Sequence, residues 1–126
     1  YRPLDRHRQE IRVVVLQPAA DLEAPLVACL RSVYPKDSPT PKFEALSYVW
    51  GEPIFKHPIQ LNGCDKFITK NLFQGLRRLR EKDQERVLWI DALGINQDDV
   101  QEKQHQIPLM KEIYSLASCV IAWLGE

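Results

Sequence analysis

The chain has 126 residues, enough for one domain around a single core and too few for two. Apolar residues make up 44% and charged residues 27%, ordinary for a globular domain, and no apolar run is long enough to cross a bilayer, which argues against a membrane span and a disordered tail alike. Lys plus Arg (17) balance Asp plus Glu (17), so no long-range positive field collects phosphates and nucleic acid is not an expected partner. Cys29, Cys64 and Cys119 are odd in number and far apart, which suits neither a disulfide frame nor a CxxC metal site and leads us to expect a reducing, cytoplasmic setting. The opening "YRPLDRHRQEIRVVVLQP" is too charged before its short apolar run for a signal peptide. "CVIAWLGE" stops just after an apolar run, so we expect residues 1–126 to form one domain of a longer protein.

In chain order, "IRVVVLQP" (Ile11 to Pro18) is a β-branched run closed by proline, the pattern of a central strand buried on both faces. "APLVACLRSVY" is too short to decide between strand and helix. Four of the nine prolines fall between Ala19 and Lys42, and "YPKDSPTPK" predicts an exposed loop over Tyr34 to Lys42. "FEALSYVWG" reads as a strand ended by Gly51. In "HPIQLNGCDKFIT" two alternating runs flank Asn62-Gly63, which predicts a tight hairpin.

Thr69 or Asn71 then caps a helix with Leu72, Phe73, Leu76 and Leu79 inward and Arg77, Arg78 and Arg80 toward solvent. "RVLWIDAL" repeats the strand signal. After it, Val100, Ile107, Met110, Ile113, Tyr114 and Ala117 trace a helical stripe that Pro108 should kink or restart. "CVIAWLG" (Cys119 to Gly125) predicts another buried strand. The expected fold is therefore α/β, a mainly parallel central sheet flanked by helices with a β-hairpin insertion. Ile11–Leu16, Leu46–Trp50, Val87–Ile90 and Val120–Trp123 should share that sheet, with Leu72, Leu76, Ile107, Met110 and Ile113 packed on it.

In such a sheet, ligands sit beyond the carboxyl ends of the strands. "SYVWGEP" and "LWIDALGINQDD" both end strands there and together could line one cleft with Ser47, Trp50, Gly51, Asp91, Asn96, Gln97 and Asp98. Simpler roles compete. Asp98 with Gln101, or Asp99 with Glu102, fits a capping box. Trp50 could be core, and Asp91, ending an apolar strand, needs partners or a ligand. His57 and His105 have no second His or Cys at ligand spacing, so no metal is expected. Hydrolase-elbow, phosphate-loop and dinucleotide motifs are absent from the sequence.

"ALSYVWG", "LWIDALGINQ" and "QIPLMKEIYSLASCVIAWLG", in this order across nearly the whole chain, resemble the heterokaryon incompatibility (HET) domain of filamentous fungi. The resemblance implies a cell-death effector of non-self recognition, a distant kinship with Toll/interleukin-receptor (TIR) domains, self-association, and a nucleotide-binding receptor module or other incompatibility protein as partner. Two departures stand out: Gly94 where the family usually has cysteine, and Pro108 within its long helix.

Three functions follow as expectations. One is NAD cleavage without a resident cofactor, with Glu102, Asp91 or Glu44 supporting the oxocarbenium-like transition state, Asn96, Gln97 and Ser47 holding ribose hydroxyls, and Trp50 stacking on a ring. TIR-type chemistry favours Glu102, and Glu102→Gln is then expected to spare the melting temperature while abolishing activity. The second is a non-enzymatic assembly module that triggers death through partners, and the third, a weaker one, is a nucleotide-binding regulator without turnover that uses the same cleft.

Overall fold

The computed structural model describes residues 1, 3–5, 9–36, 42–48 and 50–123. In chain order the elements are β1 (Ile11–Leu16), β2 (Val27–Val33), β3 (Glu44–Tyr48), β4 (Phe55–Leu61), β5 (Cys64–Thr69), α1 (Lys70–Leu79), β6 (Arg86–Trp89), α2 (Asp91–Gly94), α3 (Val100–Leu116) and β7 (Cys119–Trp123). All strands join one sheet in the order β5-β4-β2-β1-β6-β3-β7, so the four segments expected to share a sheet do so. β1 is its middle strand and is buried throughout, as its unbroken β-branched run requires.

The sheet is mixed rather than mainly parallel. β3 runs parallel to both β6 and β7, and β2 parallel to β4, whereas β1 is antiparallel to β2 and β6, and β4 to β5. The reason lies in the connections. Residues 17–26 are too short a link for a crossover helix, so β2 turns back on β1. α2 and α3 supply the long crossover that brings β7 parallel to β6 on the other side of β3. The β4–β5 hairpin closes at Asn62 (φ 53°) and Gly63 (φ 79°), the two positive angles that a two-residue turn needs.

Strand alternation sends Val14, Leu16, Leu46, Leu88 and Ile90 into one core with Leu72 and Leu76 of α1. Ile11, Val13 and Trp89 enter a second core with Ile113 of α3. Helices thus flank the sheet on both faces.

Several side chains depart from expectation. Ile107 is 51% exposed and Val100 is also exposed, while Glu102, Gln106 and Ile113 form the buried line of α3, with Met110 partly buried beside them. That line has true helical spacing, but its first half is polar. α3 also runs unbroken through Pro108, which is exposed. The Gln104 carbonyl that loses its donor there belongs to an exposed residue, so water can satisfy it. Arg80 is buried, donating to the main-chain oxygens of Asp21, Leu22, Ala24 and Pro25 and pinning that loop, whereas Arg78 is solvated. β7 is an edge strand, largely exposed, in place of the buried one expected. Val49, Leu124, Gly125 and the stretch 37–41 of the proline-rich loop lie outside the described residues. Among the described residues no helix is long and apolar enough to cross a membrane.

Candidate functional site

Because β3 and β6 are parallel neighbours, the segments that follow them emerge at the same end of the sheet. Asp91 opens α2 there and receives a hydrogen bond from Trp50 Nε1 (3.2 Å), another from its neighbour Ala92 N (2.8 Å), and a third from the Tyr48 hydroxyl. Gln97 Nε2 donates to the Asp91 main-chain oxygen at 2.9 Å and to that of Ile95 at 3.2 Å, folding the "INQ" turn back onto the strand end. Burial raises the Asp91 carboxyl above its ordinary range, against the lowering effect of those donors. Burial and the Asp91 charge together raise the Tyr48 hydroxyl strongly, so Tyr48 stays a proton donor. "SYVWG" and "DALGINQ" therefore meet in space, through Tyr48 and Trp50.

Ser47, between Tyr48 and Leu46 on β3, is exposed and does not line this cleft; strand alternation puts it on the other face from Tyr48. Glu44 begins β3 and is tied to Arg86, with Nε–Oε1 2.8 Å and Nη2–Oε2 3.2 Å, among residues remote from Asp91.

The third nominated carboxylate, Glu102, is buried in a knot under the "ALGIN" turn. Arg12 grips it bidentately, Nη1–Oε2 2.7 Å and Nη2–Oε1 2.8 Å, and the same Nη1 reaches Gly94 O at 3.1 Å. Asn96 N donates to Glu102 Oε2, and the Tyr1 ring covers the guanidinium 4.6 Å from its centroid. The helix itself is capped by Asp99, whose Oδ1 accepts from Glu102 N at 3.1 Å, so the carboxylate is released from the reciprocal half of the capping box. Gly94 packs so tightly that a Cβ would stand 2.7 Å from Arg12 O. The glycine is required there by contact with backbone.

A cleft of about 450 Å³ opens beside Asp91, walled by Tyr48, Trp50, Phe55, Phe67 and Leu72, with Gln97, Asp98, Lys66 and Lys103 among its polar lining. Asp91 lies behind Tyr48 and Trp50 and fixes their polar ends. Across Trp50 a second hollow of about 470 Å³ includes Gly51, whose φ of +73° favours glycine although space is open around it. Asn96 shapes the turn, its Oδ1 accepting from Asp98 N at 3.1 Å. Of the nominated residues, the cleft brings together Trp50, Gln97 and Asp98, with Asp91 just behind. Sequence reasoning missed Tyr48, Lys66, Lys103 and Arg12. The period of two that links Tyr48 to Trp50 could have found the first. Among the described residues no group of three or more His, Cys, Asp or Glu is placed to hold a metal.

The model of the heterokaryon incompatibility (HET) protein family matches residues 43–126. The heterokaryon incompatibility protein 6, OR allele, of Neurospora crassa is 41% identical over 128 residues, an alignment that covers 91% of this chain and 18% of that protein. The chain thus spans less than a fifth of the curated relative's length. No solved structure matches it significantly.

Proposed function

The chain belongs to the heterokaryon incompatibility (HET) family, and from that premise we propose that it is a signalling domain of fungal non-self recognition, self-associating and triggering cell death through partners. A nucleotide-binding receptor module or another incompatibility protein is the proposed partner. The observation that carries this reading over an enzymatic one is the state of the nominated glutamates. Glu102 is consumed by Arg12 in a buried pair, and Glu44 is held by Arg86, so neither is free to meet a substrate.

The test expresses the protein in fungal cells, scores death and assembly, and incubates the purified assembled form with NAD. Killing that tracks assembly while NAD stays intact supports a signalling role. Catalytic release of nicotinamide overturns it.

The second reading, TIR-like NAD cleavage, draws on Asp98, a carboxylate that lines the cleft, and on Asp91 just behind it. An oxocarbenium-like transition state needs an ionised carboxylate close to the sugar ring. Nicotinamide release that disappears in Asp98→Asn or Asp91→Asn, with folding intact, would establish this chemistry.

A further inference from the structure

The two hollows beside Trp50 differ in chemistry. One is walled by aromatic and apolar side chains, including Trp50, Phe55 and Phe67. The other carries Lys56, His57 and Lys70 against a single acidic residue, Glu52. Among the described residues neither Lys56 nor Lys70 has an ion-pair partner, so both ammonium groups are available.

A β-bulge creates this division. The register of β4 against β5 shifts between Phe55 and His57. Phe55 consequently lines the aromatic hollow, while Lys56 and His57, successive residues, both line the cationic one. Lys70 opens α1, a ten-residue helix with no acidic side chain in its first turn, so its positive end adds to the lysine charges.

We propose that the two hollows form one site for a nucleoside phosphate, with the base against Trp50, Phe55 and Phe67 and the phosphate on Lys56 and Lys70. An aromatic wall accepts any base through its π face, and an unpaired lysine pair recognises a compact anion. The zero net charge of the chain favours a small nucleotide over a polymer, because the positive charge on offer is local. Lys66 and Lys103 in the aromatic hollow face one acid, Asp98, just as the first pair faces Glu52, but Lys103 lies in a first turn that carries the Asp99 cap and Glu102, whereas the first turn of α1 has no acid, which makes Lys66 and Lys103 the weaker anchor. The inference goes beyond the signalling role and stands or falls on binding alone, whatever the outcome of the cell-death assay.

Isothermal titration of the purified protein with ADP, adenosine, inorganic phosphate and a short single-stranded oligonucleotide tests it. ADP should bind saturably and adenosine at least about tenfold more weakly, as expected for loss of charge-assisted contacts. Lys56→Gln/Lys70→Gln should bring ADP down to the adenosine level and leave adenosine unchanged. Both lysines are exposed, so the fold should survive, and an unchanged melting curve verifies it. Phe67→Ser, also at an exposed position, should weaken both ligands. The proposal is overturned if ADP fails to bind at millimolar concentration or if phosphate or the oligonucleotide binds as tightly as ADP. It is equally overturned if Lys66→Gln/Lys103→Gln, and not the first pair, removes the phosphate dependence.

Discussion

Two carboxylates stand at opposite ends of one short turn and live in opposite circumstances. Glu102 is dry, gripped by a guanidinium on both oxygens and by a main-chain amide besides, and this arrangement holds α3 against β1. Asp91 is half-buried, meets only neutral donors, and orients two aromatic residues that wall a cleft. The difference teaches that a fully paired buried acid holds the fold together, whereas an acid held by neutral donors beside an opening keeps a site in shape.

The largest expected effect comes from breaking the first arrangement. Glu102→Gln leaves Arg12 buried without its counter-charge and should cost about 3–5 kcal/mol in urea denaturation. That reverses the expectation, drawn from capping alone, that this substitution spares the melting temperature. A cost below about 1 kcal/mol, the size of a lost cap, would show that the pair adds nothing beyond capping. Next, Gly94→Ala drives a Cβ to 2.7 Å from Arg12 O, and overpacking of this kind costs about 1–3 kcal/mol. A cysteine would meet the same backbone oxygen, so Gly94→Cys should be no milder.

At the second arrangement, Asp91→Ala strands the Trp50 indole N–H and the Tyr48 hydroxyl and should cost about 1–3 kcal/mol, with Asp91→Asn milder because its amide oxygen can still accept. The contrast sharpens with pH. Because the folded-state pKa of Asp91 is raised, the native state holds the proton longer than the unfolded chain, so its contribution to stability falls as pH rises from the ordinary carboxylate value of 3.8 through the raised one. Melting temperatures measured upward from about pH 4 should therefore show a downward component that Asp91→Asn removes. A stability difference between the two proteins that does not change with pH would place Asp91 in an unperturbed environment.

What could be read from the sequence was the apolar signal. The unbroken run of β1, the turn at Asn62-Gly63 and the Leu72–Leu76 face of α1 are each fixed by local chemistry, and each came out as expected. Polar burial was hidden. Glu102 and Gln106 occupy the helical line that a search for apolar residues assigned to Val100 and Ile107, because the start of α3 meets Arg12 and the main chain rather than an apolar layer. Arg80 looked solvated for the same reason, its partners being carbonyls more than fifty residues away. At the site, meeting of the two strand ends was legible from the parallel connection, but the choice of Ser47 ignored the alternation that pairs Tyr48 with Trp50. The pairing of β1 with β6, and the partners of Glu44 and Glu102, depend on contacts that local patterning does not carry.

The hairpin turn has a role besides reversing the chain. β2 pairs with β4 only at Val27–Gln60 and Ala28–Leu61, and where the main chain of β4 turns away, the Asn62 side-chain oxygen accepts from Leu30 N at 2.8 Å. A side chain thus supplies the next rung of the ladder. The Leu30 amide should exchange with deuterium as slowly as its neighbours in the intact protein, and Asn62→Gly, which preserves the turn angles, should speed exchange there while barely moving the melting temperature. Local opening at this seam would then release β4 and β5 together from a sheet whose centre stays closed.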